Sequence, residues 1–183
     1  MNTYTGYTLT TATQDFFKRY FNFSGRSTLS AYWYWILANI LINIILSLID
    51  VYVIGLTVSE VGLLSCLWGL ITIIPHFALS VRRLHDIGKS GWNLLWVILP
   101  SVVMYASVIW LVVVIAMGGD GDMDMSSEEL GEMVAANMSE MVVICISALV
   151  TMIGGILLFI YSLLDSKKGT NKWGPSEKYP EEA

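Results

Sequence analysis

The densest run of reactive side chains in this sequence is Arg82-Arg83-Leu84-His85-Asp86-Ile87-Gly88-Lys89-Ser90-Gly91-Trp92. Guanidinium, imidazole, ammonium and carboxylate groups so close together suit two kinds of chemistry. One is anion recognition, because clustered Arg, His and Lys beside a tryptophan at headgroup depth can grip a lipid phosphate. The other is acid–base catalysis by His85 and Asp86. Adjacent residues on a helix point in different directions, so catalysis ranks low. Asp86 follows Arg83 and Arg82 by three and four positions, and on a helix it is expected to pair with both. Residues 88–91 then permit a tight reversal, with Ser90 as a cap for the helix that follows. With Arg26 added, the candidate lipid- or partner-binding set is Arg26, Arg82, Arg83, His85, Asp86, Lys89 and Trp92.

A second set lies inside apolar stretches. Asn39, Asn43 and Ser47 fall at helical spacing, as do Ser65, Gly69, Thr72 and His76, then Ser101 and Tyr105, then Ser147, Thr151 and Gly155. Each set shares one helix face. Interhelical packing and hydrogen bonding account for such stripes at about 0.6–2 kcal/mol per contact. A solute or proton pathway is the sharper reading, with Asn39, Asn43 and His76 as its intramembrane candidates. It lacks the deep carboxylate that proton relays usually use. Pro75 frees a backbone carbonyl for a neighbouring element, and His76 is expected to hydrogen-bond an Asn or Tyr on another helix. Cys66 and Cys145 read as two small buried apolar residues.

Asp120, Asp122 and Asp124 superficially resemble a calcium loop, but Met125 and Gly131 stand where the turn glycine and the closing glutamate belong. Ser126 with Glu129 forms a capping box that starts the last helix early. The methionines of this region lack the nearby Cys or His of a soft-metal site. With His76 and His85 the only histidines, metal catalysis is poorly supported. No metal, cofactor or nucleic-acid partner is expected.

These residues hang on an apolar framework. Among 183 residues, 55% are hydrophobic and 14% charged, against roughly 25% charged in soluble domains. Residues 32–49, 61–81, 92–117 and 141–164 contain no Lys, Arg, Asp or Glu. Each approaches or exceeds the roughly 18–20 residues that cross a hydrocarbon core of about 30 Å. A soluble bundle would need a polar face on every helix, and none of the four has one. The expected fold is an all-α, integral membrane four-helix bundle with a short N-terminal interfacial segment. Residues 1–30 form the cytoplasmic arm, 31–165 the transmembrane domain and 166–183 the cytoplasmic tail.

All ten Lys and Arg residues fall before the first span, between the second and third, or after the fourth. The remaining connections hold only acidic charge, Asp50 and Glu60 in the shorter one and seven such residues in the longer one. Basic flanks stay cytoplasmic, so both termini are expected inside, and the basic inner face suits anionic headgroups despite a net charge of −5. No cleaved signal peptide is expected; the first span serves as an uncleaved anchor. Residues 1–12 are polar and expected to be mobile. After them Phe16, Phe17, Tyr20, Phe21 and Phe23 interleave with Lys18, Arg19 and Asn22, as an interfacial segment would.

The Arg-Arg-Leu-His-Asp-x-Gly-x-Ser-Gly-Trp run resembles the signature of the bacterial inner-membrane Domain of Unknown Function 805 family. Tyr20-Phe21-Asn22-Phe23-Ser24-Gly25-Arg26 is similar to the family's motif before its first span. Gly169-Thr170-Asn171-Lys172-Trp173-Gly174-Pro175 is similar to its closing motif. Leu29 and Ala31 stand where the family usually carries a second arginine and an acidic residue, and the acidic outer loop is longer than usual. The resemblance implies a bacterial inner-membrane location and a small helical bundle, and it supplies no activity. The expected role is a non-enzymatic scaffold, partner-binding or lipid-interacting component working through its basic inner face. A small oligomeric transporter or channel is the alternative, and a lipid-headgroup enzyme ranks third.

Overall fold

The computed structural model describes residues 6–55, 62–118, 131–132 and 135–179. Its helices are α1 (Leu9–Lys18), α2 (Leu29–Tyr52), α3 (Leu63–Asp86), α4 (Leu95–Gly118) and α5 (Met138–Leu163), with a 3-10 turn over Gly91–Leu94. Among the described residues the only extended pairing is an isolated bridge between Asn171 and Gly174. Four stretches are long and apolar enough to cross a membrane: Leu29–Tyr52, Leu63–Asp86, Gly91–Val114 and Met138–Leu163. Their outward faces carry large apolar side chains such as Ile44, Leu70, Val112 and Ile153. That inversion is what helices solvated by hydrocarbon show. The chain is therefore an all-α membrane protein with four candidate spans. The acidic run at Asp120, Asp122 and Asp124, and the Ser126–Glu129 pair, lie outside the described residues.

The described chain divides into two compact units, one of Met1–Gly91 with Ile160–Ala183, the other of Trp92–Phe159. In the first unit the arm departs from expectation, because ordered helix begins at Leu9. Thr8 and Thr11 form a capping box, the Thr8 hydroxyl accepting the Thr11 amide at 3.3 Å and the Thr11 hydroxyl accepting the Thr8 amide at 2.8 Å. Threonine at both positions replaces the usual Ser/Thr–Glu pattern and hides the signal. Leu9, Ala12 and Phe16 share an edge, and the Phe16 ring stacks on Trp35 with centroids 3.4 Å apart. Phe16, Trp35, Ala38 and Leu79 make the buried core of this unit. Burial of these groups, about 1.5–3 kcal/mol for a large side chain in water terms, holds the arm on α2 and α3.

Asp50, read from the sequence as part of an outer connection, is buried at the end of α2 and caps α3. Its carboxylate accepts the backbone amides of Leu64 and Ser65, each at 3.0 Å, and the Ser65 hydroxyl at 2.9 Å. Those amides are among the unpaired donors of a helix start, and Gly62 supplies no side chain to meet them. A Cβ at Gly62 would collide with that carboxylate. Pro75 removes a donor from the middle of α3, leaving the Ile71 carbonyl without its helical partner. The Tyr20 hydroxyl donates to that carbonyl. The other end of α3 closes with Gly88 at φ 80°, where Lys89 N–H donates to Leu84 O at 2.8 Å and Gly88 N–H to His85 O at 3.0 Å. This pair of bonds is a Schellman stop, which needs a left-handed residue and so favours glycine.

In the second unit the long helices carry almost no charge: α4 has none, and α5 has only Glu140. Pro100 lies inside α4, freeing the Trp96 carbonyl, and α5 brings Gly154 against that oxygen. A Cβ on Gly154 would fall 2.7 Å from Trp96 O and 2.9 Å from a Val97 methyl. Gly155, the residue singled out by spacing, has open space around it. Cys66 and Cys145 are unpaired and exposed rather than buried. A thiol is apolar enough to face hydrocarbon without a partner.

Candidate functional site

The three sequence motifs meet at one end of the first unit. Arg26 (2% exposed), Arg82 (0%), Arg83 (2%) and Asp86 (0%) are all buried there, along with His85. Asp86 is the centre: its carboxylate accepts Arg26 Nε at 3.0 Å, Arg83 Nη1 at 2.5 Å and the Ser166 hydroxyl at 2.6 Å. The expected Arg83–Asp86 pair is present. Arg82 does not join it, because its side chain turns to Ser27 Oγ at 3.0 Å and to the carbonyls of Arg19 and Asn22. Arg26, far off in sequence, takes the place that helical spacing assigned to Arg82. Arg82 Nη2 is buried with no hydrogen-bond partner among the described residues.

Three buried guanidiniums with one buried carboxylate, which pairs with only two of them, would be untenable on ion pairs alone. The balance comes from helix ends. Each guanidinium meets the C-terminal carbonyls of a different helix, where the peptide dipoles sum to roughly −0.5 of a charge. Arg82 takes the carbonyls of Arg19 and Asn22 just past α1. Arg26 takes the Asp86 carbonyl of α3 at 3.1 Å, with those of Lys167 and Gly169. Arg83 takes Ser162 O, at 3.4 Å, and Leu164 O, at the end of α5. Three helix ends near −0.5 plus one carboxylate come close to matching three cations. Guanidinium suits this work because its rigid fork of donors reaches several carbonyls at once.

The tail completes the cluster. Lys167 N–H donates to Asp86 O at 3.0 Å and Asn171 Nδ2 to His85 O at 2.9 Å. The Trp173 ring stacks on His85 with centroids 4.3 Å apart, while His85 Nδ1 donates to Gly25 O at 3.1 Å. Glu177 binds Arg19 at 3.3 Å; burial raises its carboxyl above the usual range, and the Arg19 charge opposes that rise. Asp165, held by Lys178 at 2.5 Å and by the Tyr179 hydroxyl at 2.8 Å, is lowered to about 2, chiefly by the Lys178 hydrogen bond.

Of the other candidate residues, Lys89 is exposed and lies 5.4 Å from the Tyr161 ring centroid. Trp92 is 77% exposed and begins the second unit. The intramembrane polar groups find one another. Asn43 donates to Asn39 O at 2.8 Å, and Trp68 Nε1 donates to Asn39 Oδ1 at 2.8 Å. His76 accepts from Trp35 Nε1 at 3.4 Å, so its partner is a tryptophan rather than the Asn or Tyr expected. Among the described residues no group of three or more His, Cys, Asp or Glu could hold a metal ion. Sequence reasoning missed Ser27, Ser166 and the Tyr20–Ile71 link, although Tyr20, Asn171 and Trp173 each stood inside a motif already marked out.

The family described as protein of unknown function (DUF805) matches residues 20–124, which contain the first two motifs. Inner membrane protein YhaH of Escherichia coli strain K12 is 31% identical over 98 residues, covering 54% of this chain and 76% of that protein. Inner membrane protein YhaI of the same strain is 41% identical over 80 residues, 43% of this chain and 64% of that protein. No solved structure matches the chain.

Proposed function

The chain belongs to the DUF805 family of proteins of unknown function, and from that premise we propose that it is a non-enzymatic inner-membrane component whose cytoplasmic face binds anionic lipid headgroups. One observation carries the reading: the arginines turn inward while lysines stay out. Arg26, Arg82 and Arg83 lock the arm, the α3 end and the tail together, leaving Lys18, Lys89 and Lys172 exposed around them. Lysine on a rigid base is a solvated point charge, suited to phosphate without a fixed geometry. Lys172 lies 4.2 Å from the Trp173 ring centroid, which keeps an aromatic surface beside the charge. The inner-membrane relatives and the one-sided distribution of basic residues support the location and the cytoplasmic orientation of both termini.

Headgroup selectivity tests this reading directly. In proteoliposomes, spin-labelled phosphatidylglycerol should be enriched at the protein over spin-labelled phosphatidylcholine. Each Lys→Gln change at Lys89 or Lys172 should reduce that preference by up to about fivefold, from roughly 1 kcal/mol per cation near the surface. A preference untouched by the double variant would overturn the reading.

A further inference from the structure

One contact beside the arginine cluster is made by a carboxylate that fits its partner poorly. Glu177 of the tail reaches Arg19 at the close of α1, where a single oxygen, Oε1, accepts both Nη1 and Nη2 at 3.3 Å. Its other oxygen accepts only from the Tyr7 hydroxyl among the described residues, at 3.5 Å. We propose that Arg19, backed by the charge of Arg82, is the binding site of a phosphate group, and that Glu177 is the chain's own occupant of it, displaced when the phosphate binds.

Geometry marks this carboxylate as exchangeable. A guanidinium and an oxyanion that suit each other meet in two parallel bonds of about 2.7–2.9 Å. The same tail supplies the contrast, since Asp165 is held at 2.5 Å by Lys178 and at 2.8 Å by the Tyr179 hydroxyl. Those bonds, that of Lys178 foremost, draw Asp165 down to about 2, whereas burial pushes the Glu177 carboxyl up against the pull of Arg19. An ionised Glu177 therefore gives up little by returning to water. Its departure loosens one contact only, because Lys178 and Tyr179 stay fastened to Asp165 and Trp173 stays on His85. Arg19 and Glu177 keep 29% and 32% of their side chains exposed, so the exchange needs no opening of the buried cluster. The displaced carboxylate stays tethered nearby as an internal competitor.

Charge and setting specify the replacement. Among the described residues Arg82 pairs with no carboxylate, unlike Arg26 and Arg83, and its Nη2 lacks an acceptor. The carboxylates whose charge acts on it are Asp15 and Glu177. Asp15 is committed to Arg19 Nε at 2.9 Å. Two cations thus face two carboxylates, and release of Glu177 leaves room for one monoanion. A phosphodiester brings that charge with two free oxygens, one for each of the Nη groups that now share Oε1. Arg19 sits among the exposed rings of Phe17, Phe21 and Phe23, which place it at a membrane surface, where lipid phosphate is the abundant anion.

The inference deepens the headgroup reading and rests on it for the class of ligand, but neither Lys89 nor Lys172 takes part. The test uses the full-length chain in phosphatidylcholine vesicles, with phosphatidylglycerol or inorganic phosphate added. Amide exchange over residues 176–179 should quicken as the anion frees Glu177, while exchange at residues 82–86 holds. Release by phosphatidylglycerol alone assigns the site to a headgroup, release by inorganic phosphate assigns it to a soluble phosphate, and the phosphate site stands in both cases. Affinity is read by spin-labelled lipid enrichment or by binding of radiolabelled phosphate. Glu177→Gln should raise the affinity for the releasing anion by up to about fivefold, and adding Arg19→Gln should cancel that gain. Tail exchange indifferent to both anions, or unchanged affinity in Glu177→Gln, would overturn the proposal and leave Glu177 a structural fastening. A gain in Glu177→Gln with no effect at Lys89 and Lys172 would keep this site and reject the lysine surface, whereas the reverse pattern would reject this site alone.

Discussion

Each compact unit carries a proline inside a long apolar helix, and the two treat the freed carbonyl by different chemistry. In the first unit Pro75 releases Ile71 O, and the Tyr20 hydroxyl from the arm donates to it. In the second, Pro100 releases Trp96 O, and Gly154 comes so close that only a hydrogen fits where a Cβ would stand. That contact leaves a Cα–H as the donor, a weak substitute. The first unit goes on to gather arginines, a buried aspartate, serines and helix-end carbonyls; in the second, α4 carries no charge, α5 carries only Glu140, and the contact at Gly154 is made by backbone and methyl groups. One unit is organised by satisfying strong polar groups, the other by steric fit between small residues, as is usual where lipid is the solvent. A polar network fails when one member is removed, whereas a steric contact fails when something is added.

The largest effect is expected at the centre of the network. Asp86→Ala strands buried guanidiniums and should cost about 3–5 kcal/mol, seen as a much lower melting temperature in detergent. A near-wild-type melt would mean the helix-end carbonyls neutralise the arginines by themselves. Next comes overpacking in the other unit. Gly154→Leu forces α5 off the Trp96 backbone at about 1–3 kcal/mol, while Gly155→Leu, with open space around it, should be close to neutral. Equal effects at the two positions would erase the steric half of the comparison.

Tyr20→Phe should cost about 1–2 kcal/mol by leaving Ile71 O unsatisfied. In a double-mutant cycle Pro75→Ala should cancel most of that loss, because it restores the helical donor. Pro100→Ala should give no such rescue to Gly154→Leu, since its defect is steric. The cap of α3 is expected to behave like the network: Asp50→Ala should cost about 1–2 kcal/mol, read by faster amide exchange at Leu64 and Ser65.

The smallest expected effect is the acid response of the tail. Asp165 titrates at about 2 in the folded chain, against about 3.9 for an unperturbed aspartate. Its link to Lys178 and Tyr179 therefore contributes at pH values above about 4 and is lost as pH falls towards 2. Amide exchange at Tyr179 should rise over that window, and Asp165→Asn should abolish the pH dependence.

Much of the framework was legible. Four uncharged stretches gave four helices, Pro75 marked a carbonyl in need of a partner, and the spacing of Arg83 and Asp86 announced their pair. The misreadings have a common cause. Helical spacing is local and points Arg82 at Asp86, whereas its actual partners, Ser27 and the carbonyls of Arg19 and Asn22, come from a segment some 60 residues earlier. Asp50 looked like a loop charge because nothing nearby in sequence shows that the next helix begins beside it. A threonine capping box hides the start of α1, and helical spacing picks out Gly155 rather than Gly154 because spacing along one helix does not reveal which glycine faces a neighbour's backbone.

Hydropathy, charge distribution and local spacing thus determined the class of this protein, its four candidate spans and the residues marked by its three motifs. These are properties of short stretches of chain, and each is set by transfer energies or by helix period alone. Tertiary structure decided what the motifs do. It turned three arginines inward because three helix C-termini converge there with unpaired carbonyls, and it left the lysines outside. Such a convergence depends on the sum of distant dipoles and on which backbone groups burial strips of water, neither of which any single segment encodes.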